Sequence, residues 1–257
     1  MRTVQILLLA CTVALGAPCP APAADPAADA WSRVLARHAK RGGVDYAALK
    51  RDRADLDAFL RGLARARPAG PAQVERKADA LAFWINAYNG VVVHHVLDRY
   101  PGIDSVKSVD GFFDELTFPV AGEELTLDEI EARGLALGDP RVHFAVVCAS
   151  TSCPDLRGEP YTAVDIEPQL RDQTRRFLSD RSKGLRYDPG ADTLWLSSIF
   201  KWYAGDFTGG STVVAFFARG GVLEWVKEHA PPEIARRLRG KKPAVRYMEY
   251  DWGLNDR

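Results

Sequence analysis

One long, mostly apolar stretch, residues 73–99, constrains the fold of this chain more than any other feature. A helix that is apolar on all sides is buried inside a protein and does not lie on its surface. Pro101 and Gly102 follow the stretch and interrupt helices. We therefore predict one central, buried helix from Gln73 to Arg99. Its apolar positions are Ala80, Leu81, Trp84, Ile85, Tyr88, Val91, Val92, His95 and Val96.

Shorter helices are predicted on both sides of this one. Over residues 30–40 and 52–67 apolar side chains recur every three or four positions, the spacing of an amphipathic helix. Glycine or proline follows each of these segments and ends the helix. Further helices are predicted over residues 127–135, 163–179, 212–218, 222–229 and 232–238.

Strands are predicted in the later part of the chain. Residues 141–149 are a continuous apolar run, typical of a strand that is covered on both faces. Residues 184–187 and 193–196 flank Asp188-Pro189-Gly190 and predict a hairpin. A short strand or hairpin over 112–120 and a final strand over 245–250 complete the set. The order of elements predicts an α+β fold, with helices packed on a small, mixed or antiparallel sheet.

The first 23 residues have the composition of a secretory signal peptide. Arg2 provides the positive start, a short apolar stretch follows, and Ala21-Pro22-Ala23 offers small residues for cleavage. The stretch is shorter than the roughly 20 apolar residues that span a bilayer. We therefore expect an exported protein, periplasmic or secreted, whose residues 24–257 form a single domain without a membrane span. A lipid anchor at Cys11, within Leu8-Leu9-Ala10-Cys11, is the alternative.

The charge of the chain argues against a nucleic-acid partner. Lysine and arginine together number 34, as do aspartate and glutamate, so the formal net charge is zero. Nucleic-acid binding requires a basic patch. We interpret the scattered arginines as solvated helix faces: Arg65, Arg67, Arg175, Arg176, Arg236, Arg237 and Arg239.

Several short segments together resemble one known family. They are Val44–Tyr46 (VDY), Phe83–Asn89 (FWINAYN), Asp139–Ala145 (DPRVHFA), Cys148 with Ser152–Pro154 (SCP), Leu196–Tyr203 (LSSIFKWY) with Asp206-Phe207, and Tyr250–Trp252 (YDW) with Leu254–Asp256 (LND). In order and spacing they resemble the domain-of-unknown-function family 547 in its bacterial exported form. The resemblance implies a fold and a compartment, but no activity, substrate or catalytic set.

Cys148 and Cys153 are the only cysteines after the signal peptide. In an oxidising compartment two neighbouring thiols usually form a disulfide. A bond across this short loop would fix the loop's shape and add little to stability. Three other states remain open: Cys148 as a reactive nucleophile, a redox pair, and two inert thiols. The four intervening residues do not match the Cys-x-x-Cys redox motif.

His143 is a poor direct partner for Cys148 if both lie on one strand. Residues an odd number apart point to opposite faces of a strand, and five steps of about 3.3 Å separate them by about 16 Å. A base must lie within about 2.6–3.2 Å of the thiol. His94 or His95 on the central helix could serve instead, and a structural role for His143 is the alternative. The spacing of His143, Cys148 and Cys153 matches no compact zinc signature, so we predict no metal site.

Asn86 and Asn89 share one face of the central helix, because they lie three residues apart. Buried amides need hydrogen-bond partners. They either bond loop backbone and lock the fold, or line a polar cleft and orient a substrate amide or an oxyanion. The same alternatives apply to the other candidate cleft residues, Ser152, Tyr203, Asp206 and Asp251.

Two functions remain. The first is a binding or structural module of the cell envelope that carries a local cysteine pair and recognises a small molecule, a peptide or a protein. The second is a thiol-dependent hydrolase or acyl transferase acting on a peptide or amide, with Cys148, His143 and Asn86 as its catalytic residues. Its layout would resemble papain-like and transglutaminase-like enzymes, although a fold does not fix a function. Motifs for nucleotide cofactors, serine hydrolases and zinc proteases are missing from the sequence, and we predict no cofactor.

Overall fold

The structure is a computed structural model, and it describes residues 26–68, 74–208 and 219–257. The predicted signal peptide, the alternative lipid anchor at Cys11 and the predicted helix over 212–218 lie outside the described residues. Within them the predicted α+β architecture is confirmed, with helices around three small sheets. No helix in the described ranges has both the length and the apolar character needed to cross a membrane.

The described residues form ten helices: seven match predicted segments, and three short ones over 46–51, 142–145 and 199–202 were not predicted as helices. The ten helices are α1 (Pro26–His38), α2 (Tyr46–Arg51), α3 (Ala54–Arg65), α4 (Val74–Arg99), α5 (Leu127–Leu135), α6 (Val142–Ala145), α7 (Ile166–Ser179), α8 (Ile199–Trp202), α9 (Arg219–His229) and α10 (Pro232–Leu238). The start of α5 is fixed by a capping box, in which Thr126 and Glu129 each bond the other's backbone N–H.

The central helix is confirmed as the core of the protein. Ile85, Val91 and Val96 on α4 have no exposed surface, and α3 and α5 pack against this helix. Helix α1 packs on α3, where the rings of Trp31 and Phe59 stack with their centroids 4.7 Å apart. Burial of the whole circumference explains why this sequence segment shows no amphipathic stripe.

The strands form two hairpins and one mixed sheet. They are β1 (Ala39–Lys40), β2 (Gly43–Val44), β3 (Thr117–Val120), β4 (Glu123–Thr126), β5 (Leu185–Asp188), β6 (Thr193–Leu196) and β7 (Ala244–Tyr247). The predicted hairpin is β5–β6, with Leu185 opposite Leu196. The predicted last strand, β7, runs parallel to β6 and completes the three-stranded sheet.

The predicted strand over 141–149 is wrong. Residues 142–145 form the short helix α6, and residues 146–149 continue as irregular backbone that ends at Ala149 with a positive φ of 64°. The side chain of Asn89 replaces a neighbouring strand: its amide nitrogen donates to the Ala145 carbonyl at 3.0 Å, and its oxygen accepts from the Val147 N–H at 2.8 Å. An apolar run of this length fits a buried helix or loop as well as a buried strand.

Helix α6 lies between two apolar clusters. Val142 and Ala145 belong to the cluster around α4. Phe144 belongs to a second cluster beneath the three-stranded sheet, where it contacts Phe177, Phe200 and Phe207. The segment that carries both cysteines therefore follows the boundary between the two clusters and packs on the cluster around α4.

Residues 250–257 cross the molecule and join distant segments. Isolated bridges pair Ser150 with Leu254, Ser105 with Gly253, and Val44 with Asp256. This crossing brings Tyr250 and Trp252 beside the cysteine segment.

Candidate functional site

The two cysteines lie in contact with each other. Both are free, and their Sγ atoms are 2.9 Å apart. A disulfide bond measures about 2.05 Å, so the predicted bond is not formed in this structure and remains a prediction. The backbone N–H of Cys148 also donates to the Cys153 sulfur at 2.9 Å. Cys148 is partly exposed, whereas Cys153 is buried.

Hydrogen-bond donors surround the sulfur of Cys148. The Cys153 sulfur lies 2.9 Å from it, the hydroxyl of Ser150 lies 3.1 Å away, and the hydroxyl of Tyr250 lies 3.3 Å away. The bond from Cys153, helped by those from Ser150 and Tyr250, lowers the pKa of Cys148 against the opposing effect of burial. Burial and the neighbouring Cys148 raise the pKa of Cys153. Cys148 is therefore the more acidic thiol of the pair.

Cys148 opens into a cleft of about 630 Å³. Six aromatic residues line it: Tyr88, Phe113, Trp202, Tyr203, Tyr250 and Trp252. Three acidic residues and one basic residue complete the lining: Asp114, Asp128, Glu131 and Lys107. Trp202 and Tyr203 are the large aromatic residues most exposed at this site, at 46% and 36%. The cleft is wide enough to admit a peptide side chain or a small molecule.

His143 lines the same cleft but bonds carboxylates rather than Cys148. Its Nε2 lies 2.7 Å from Oδ2 of Asp206, and its Nδ1 lies 3.4 Å from Oε1 of Glu131. Its ring stacks on Tyr203, with centroids 4.1 Å apart. His143 lies in helix α6, so the predicted strand geometry does not apply to it. His143 and Cys148 nevertheless form no hydrogen bond in the structure.

The other histidines considered as bases do not line the cleft. His94 pairs with Asp98 at 3.4 Å, and His95 packs edge-on against Phe112. Burial lowers the pKa of His95 to about 4. No imidazole of the described residues hydrogen-bonds the Cys148 sulfur, so a thiol–imidazole dyad is not assembled in this structure.

Comparison with known proteins identifies part of the chain. Residues 71–178 match the family model described as "Protein of unknown function, DUF547". This part of the chain belongs to the DUF547 family. Among curated proteins and solved structures no match is found. The resemblance seen in the sequence motifs is confirmed over this DUF547 segment, which contains α4, His143, Cys148 and Cys153.

Residues beyond the DUF547 segment complete the cleft. Trp202 and Tyr203 extend from α8, and Tyr250 and Trp252 from the crossing C-terminal residues. The rings of Trp202, Tyr250 and Trp252 pack on one another, with Trp202 and Trp252 stacked at 5.8 Å, while Tyr203 stacks on His143. The thiol pair therefore comes from the DUF547 segment, and much of the aromatic wall comes from the chain that follows it.

Both asparagines of the central helix bond backbone. Asn86 donates to the Tyr161 carbonyl at 2.8 Å and accepts from the Tyr161 N–H at 3.0 Å, and the Trp31 indole donates to it at 3.3 Å. Neither Asn86 nor Asn89 is among the residues that line the cleft. Of the two predicted roles, both asparagines have the structural one, because their side chains hydrogen-bond the backbone of other segments.

The remaining candidate residues divide into two groups. Tyr203 and Asp206 reach the cleft, directly or through His143. Ser152 and Asp251 instead hold the crossing chain in place, because the Asp251 N–H donates to the Ser152 hydroxyl at 2.9 Å and the Ser152 N–H to the Asp251 carbonyl at 3.1 Å. These two hydrogen bonds attach the cysteine loop at Ser152 to the crossing C-terminal residues at Asp251.

Tyr250, Ser150 and the acidic residues of the cleft are not among the site residues predicted from the sequence. Tyr250 stands in the YDW motif and Ser150 stands two positions after Cys148, so both could have been proposed as partners of the thiol. Within the part of the chain that the structure describes, no group of three or more histidine, cysteine, aspartate or glutamate side chains is arranged to hold a metal ion.

Proposed function

We propose that Cys148 and Cys153 form a thiol–disulfide exchange centre that acts on disulfides of a peptide or protein. One observation carries this proposal: the Cys148 sulfur lies within hydrogen-bond distance of three side-chain groups, and one of these is a second thiol in contact with it. The thiolate is the reactive form of cysteine in disulfide exchange. A lowered pKa at Cys148 supplies that form near neutral pH.

The difference in burial between the two cysteines assigns their roles. Both cysteines line the cleft, but Cys148 is partly exposed and can meet a substrate sulfur, whereas Cys153 is only 4% exposed and is less accessible. Cys148 is therefore the attacking residue and Cys153 the resolving residue. Four residues lie between them instead of two, and the positive φ of Ala149 turns the chain back within that interval.

The exchange is balanced as follows. The Cys148 thiolate attacks one sulfur of the substrate disulfide, the substrate S–S bond breaks, and the departing sulfur takes a proton from solvent. Cys153 then gives up its proton, its thiolate attacks the Cys148 sulfur, the mixed disulfide breaks, and the proton passes to the second departing substrate sulfur. Two electrons move from the cysteine pair to the substrate, which leaves as two thiols, and a Cys148–Cys153 disulfide remains. The reverse sequence oxidises a substrate dithiol.

We also propose that the protein is exported and that its pair cycles, or rests as a disulfide, in an oxidising compartment. This rests on the signal-like composition of residues 1–23 and on the usual fate of neighbouring thiols outside the cytosol. Fractionation of cells that produce the full chain, with mass measurement of the N-terminus, tests it. Cleavage after Ala23 supports export, and an intact N-terminus in the cytosolic fraction contradicts it.

The thiol-dependent hydrolase is the weaker candidate. An acyl-transfer reaction needs a group within hydrogen-bond reach that takes and returns a proton. His143 lines the cleft and is the imidazole that could exchange the proton, but its ring nitrogens contact the carboxylates of Asp206 and Glu131. A hydrolase would first require this imidazole to leave both carboxylates.

A trapping experiment distinguishes the two candidates. In a background with Cys11 and Cys19 replaced by serine, Cys153→Ser should accumulate a mixed disulfide with a peptide disulfide, because nothing resolves it. The matched Cys148→Ser variant should trap little, and the unsubstituted pair should release two peptide thiols for each Cys148–Cys153 bond formed. Equal trapping by both variants, or an acyl-thioester on Cys148 after incubation with a peptide ester, would contradict the exchange proposal.

A further inference from the structure

A second, basic cavity lies on another face of the protein. It has a volume of about 940 Å³ and is bounded by β1, the loop over 155–158, the last turns of α7 and residues 180–183. We call it the basic groove. Seven of its lining residues are basic: Lys40, Arg41, Arg157, Arg175, Arg176, Arg181 and Lys183. Two lining residues are acidic, Asp155 and Asp180.

Carboxylates already neutralise three of these basic residues. Arg157 and Arg176 share Asp172, and Arg157 also pairs with Glu159. Lys183 pairs with Asp155. These contacts form a fixed, charged wall on one side of the basic groove.

The other four basic residues have no carboxylate partner among the described residues: Lys40, Arg41, Arg175 and Arg181. All four are exposed. Lys40 bonds only a backbone carbonyl, that of Arg37, at 2.7 Å. A protein with no net charge therefore concentrates unpaired positive charge in one concave place.

A buried arginine in the lining of the groove keeps one donor without a partner. Arg157 is 7% exposed, and its Nε has no hydrogen-bond partner. Removing a guanidinium from water is costly unless charge and hydrogen bonds compensate for it. Asp172 and Glu159 pair with the two Nη atoms of Arg157 and leave its Nε donor without a partner.

We propose that the basic groove binds a soluble ligand that carries several phosphate groups. Five of the seven basic residues are arginines, whose planar guanidinium forks match phosphate oxygens in pairs. Four unpaired cations around one cavity suit an anion with more than one phosphate group. A concave groove receives such a ligand, whereas a planar bilayer would not reach its floor. The lining offers no exposed aromatic residue on which bases of a single strand could stack, since Phe177 is buried.

The experiment uses inorganic tripolyphosphate as the probe and the full protein after export. We expect binding measured by titration calorimetry to weaken at least tenfold in the double variant Arg175→Gln/Arg181→Gln. The matched control Arg51→Gln/Arg61→Gln removes two exposed helical arginines elsewhere and should bind like the unsubstituted protein. Circular dichroism checks that both variants are folded.

Further arms of the experiment separate the sources of phosphate. Orthophosphate at equal ionic strength should bind at least tenfold more weakly than tripolyphosphate, because it bridges fewer cations. Vesicles with phosphatidylglycerol should not retain the protein. Equal affinity in the groove variant and the control, equal affinity for both phosphates, or retention by vesicles without tripolyphosphate binding would each overturn the proposal.

Discussion

The hydroxyl of Tyr250 lies 3.3 Å from the sulfur of Cys148, although 102 positions separate the two residues in the chain. The same hydroxyl accepts a hydrogen bond from Ser150 at 3.1 Å. The crossing C-terminal residues therefore do more than cover the cleft, since they contribute one of the groups that stabilise the thiolate.

Removing the Tyr250 hydroxyl should make Cys148 less acidic. Tyr250→Phe keeps the ring packed against Trp202 and Trp252 but deletes one donor. A hydrogen bond to a charged group is worth about 1.5–3 kcal/mol, so we expect the pKa of Cys148 to rise by about one unit or more. The pH dependence of iodoacetamide alkylation measures it. Tyr203→Phe, in the same cleft but without a bond to Cys148, is the control, and an equal shift in both variants would contradict the assignment.

A methyl group at Gly43 should displace the crossing chain. A Cβ at this position would lie 1.8 Å from the Asn255 carbonyl oxygen, where the neighbouring Val44 N–H bonds that same oxygen at 2.9 Å. Gly43→Ala should cost about 1–3 kcal/mol of unfolding free energy in a urea titration, as overpacking generally does. At Gly158 an added Cβ meets nothing within 4 Å, so Gly158→Ala is a neutral control. Similar losses of unfolding free energy in both variants would contradict the close contact between Gly43 and the Asn255 carbonyl.

The stability of the protein should fall on mild acidification because of His95. Burial is the main cause that lowers the pKa of His95 from 6.5 to about 4, so the folded state keeps this ring neutral while the unfolded chain takes up a proton. The full stability is present above pH 6.5, and about 3 kcal/mol is lost as the pH falls to 4. Urea midpoints between these pH values should decline less steeply in His95→Leu. Parallel pH profiles for variant and parent would exclude His95 as the cause.

Asn89 should stabilise the cysteine segment through its two backbone hydrogen bonds. Asn89→Ala leaves the Ala145 carbonyl and the Val147 N–H without their partner in the core. Unsatisfied buried groups of this kind cost about 2–4 kcal/mol in total. Denaturant unfolding measures the loss, and Asp110→Ala at an exposed loop position serves as control. An unfolding free energy unchanged by Asn89→Ala would show that other contacts hold the segment.

Much of the fold could be predicted because burial leaves a periodic signal. Helix α4 was expected one residue earlier than it begins, α5 was expected over the residues it occupies, and the β5–β6 hairpin follows its turn residues. The segment 141–149 could not be predicted correctly, because its partner is a side chain, Asn89, and a side chain 56 positions away leaves no periodic pattern.

The site was predictable only where its residues are close in sequence. The contact between Cys148 and Cys153 could be predicted, because the two residues are only five positions apart in the sequence. The contacts of Cys148 with Tyr250, and of His143 with Asp206, depend on where the chain crosses itself, and no local pattern encodes that crossing. Asn86 illustrates the converse case, since a polar residue on an apolar helix indicates a buried hydrogen bond without telling which loop supplies the partner.

Lys183 belongs to the wall of the basic groove, and its ammonium group also donates to the carbonyl oxygen of Cys153 at 2.7 Å. A ligand that draws this lysine toward the groove therefore acts on the backbone of the resolving cysteine. Thermodynamic linkage makes such an influence reciprocal. If disulfide formation changes the affinity for the anion by some factor, bound anion changes the dithiol–disulfide equilibrium by the same factor. One lysine thus contacts both of the proposed sites, through its place in the groove and its hydrogen bond to Cys153.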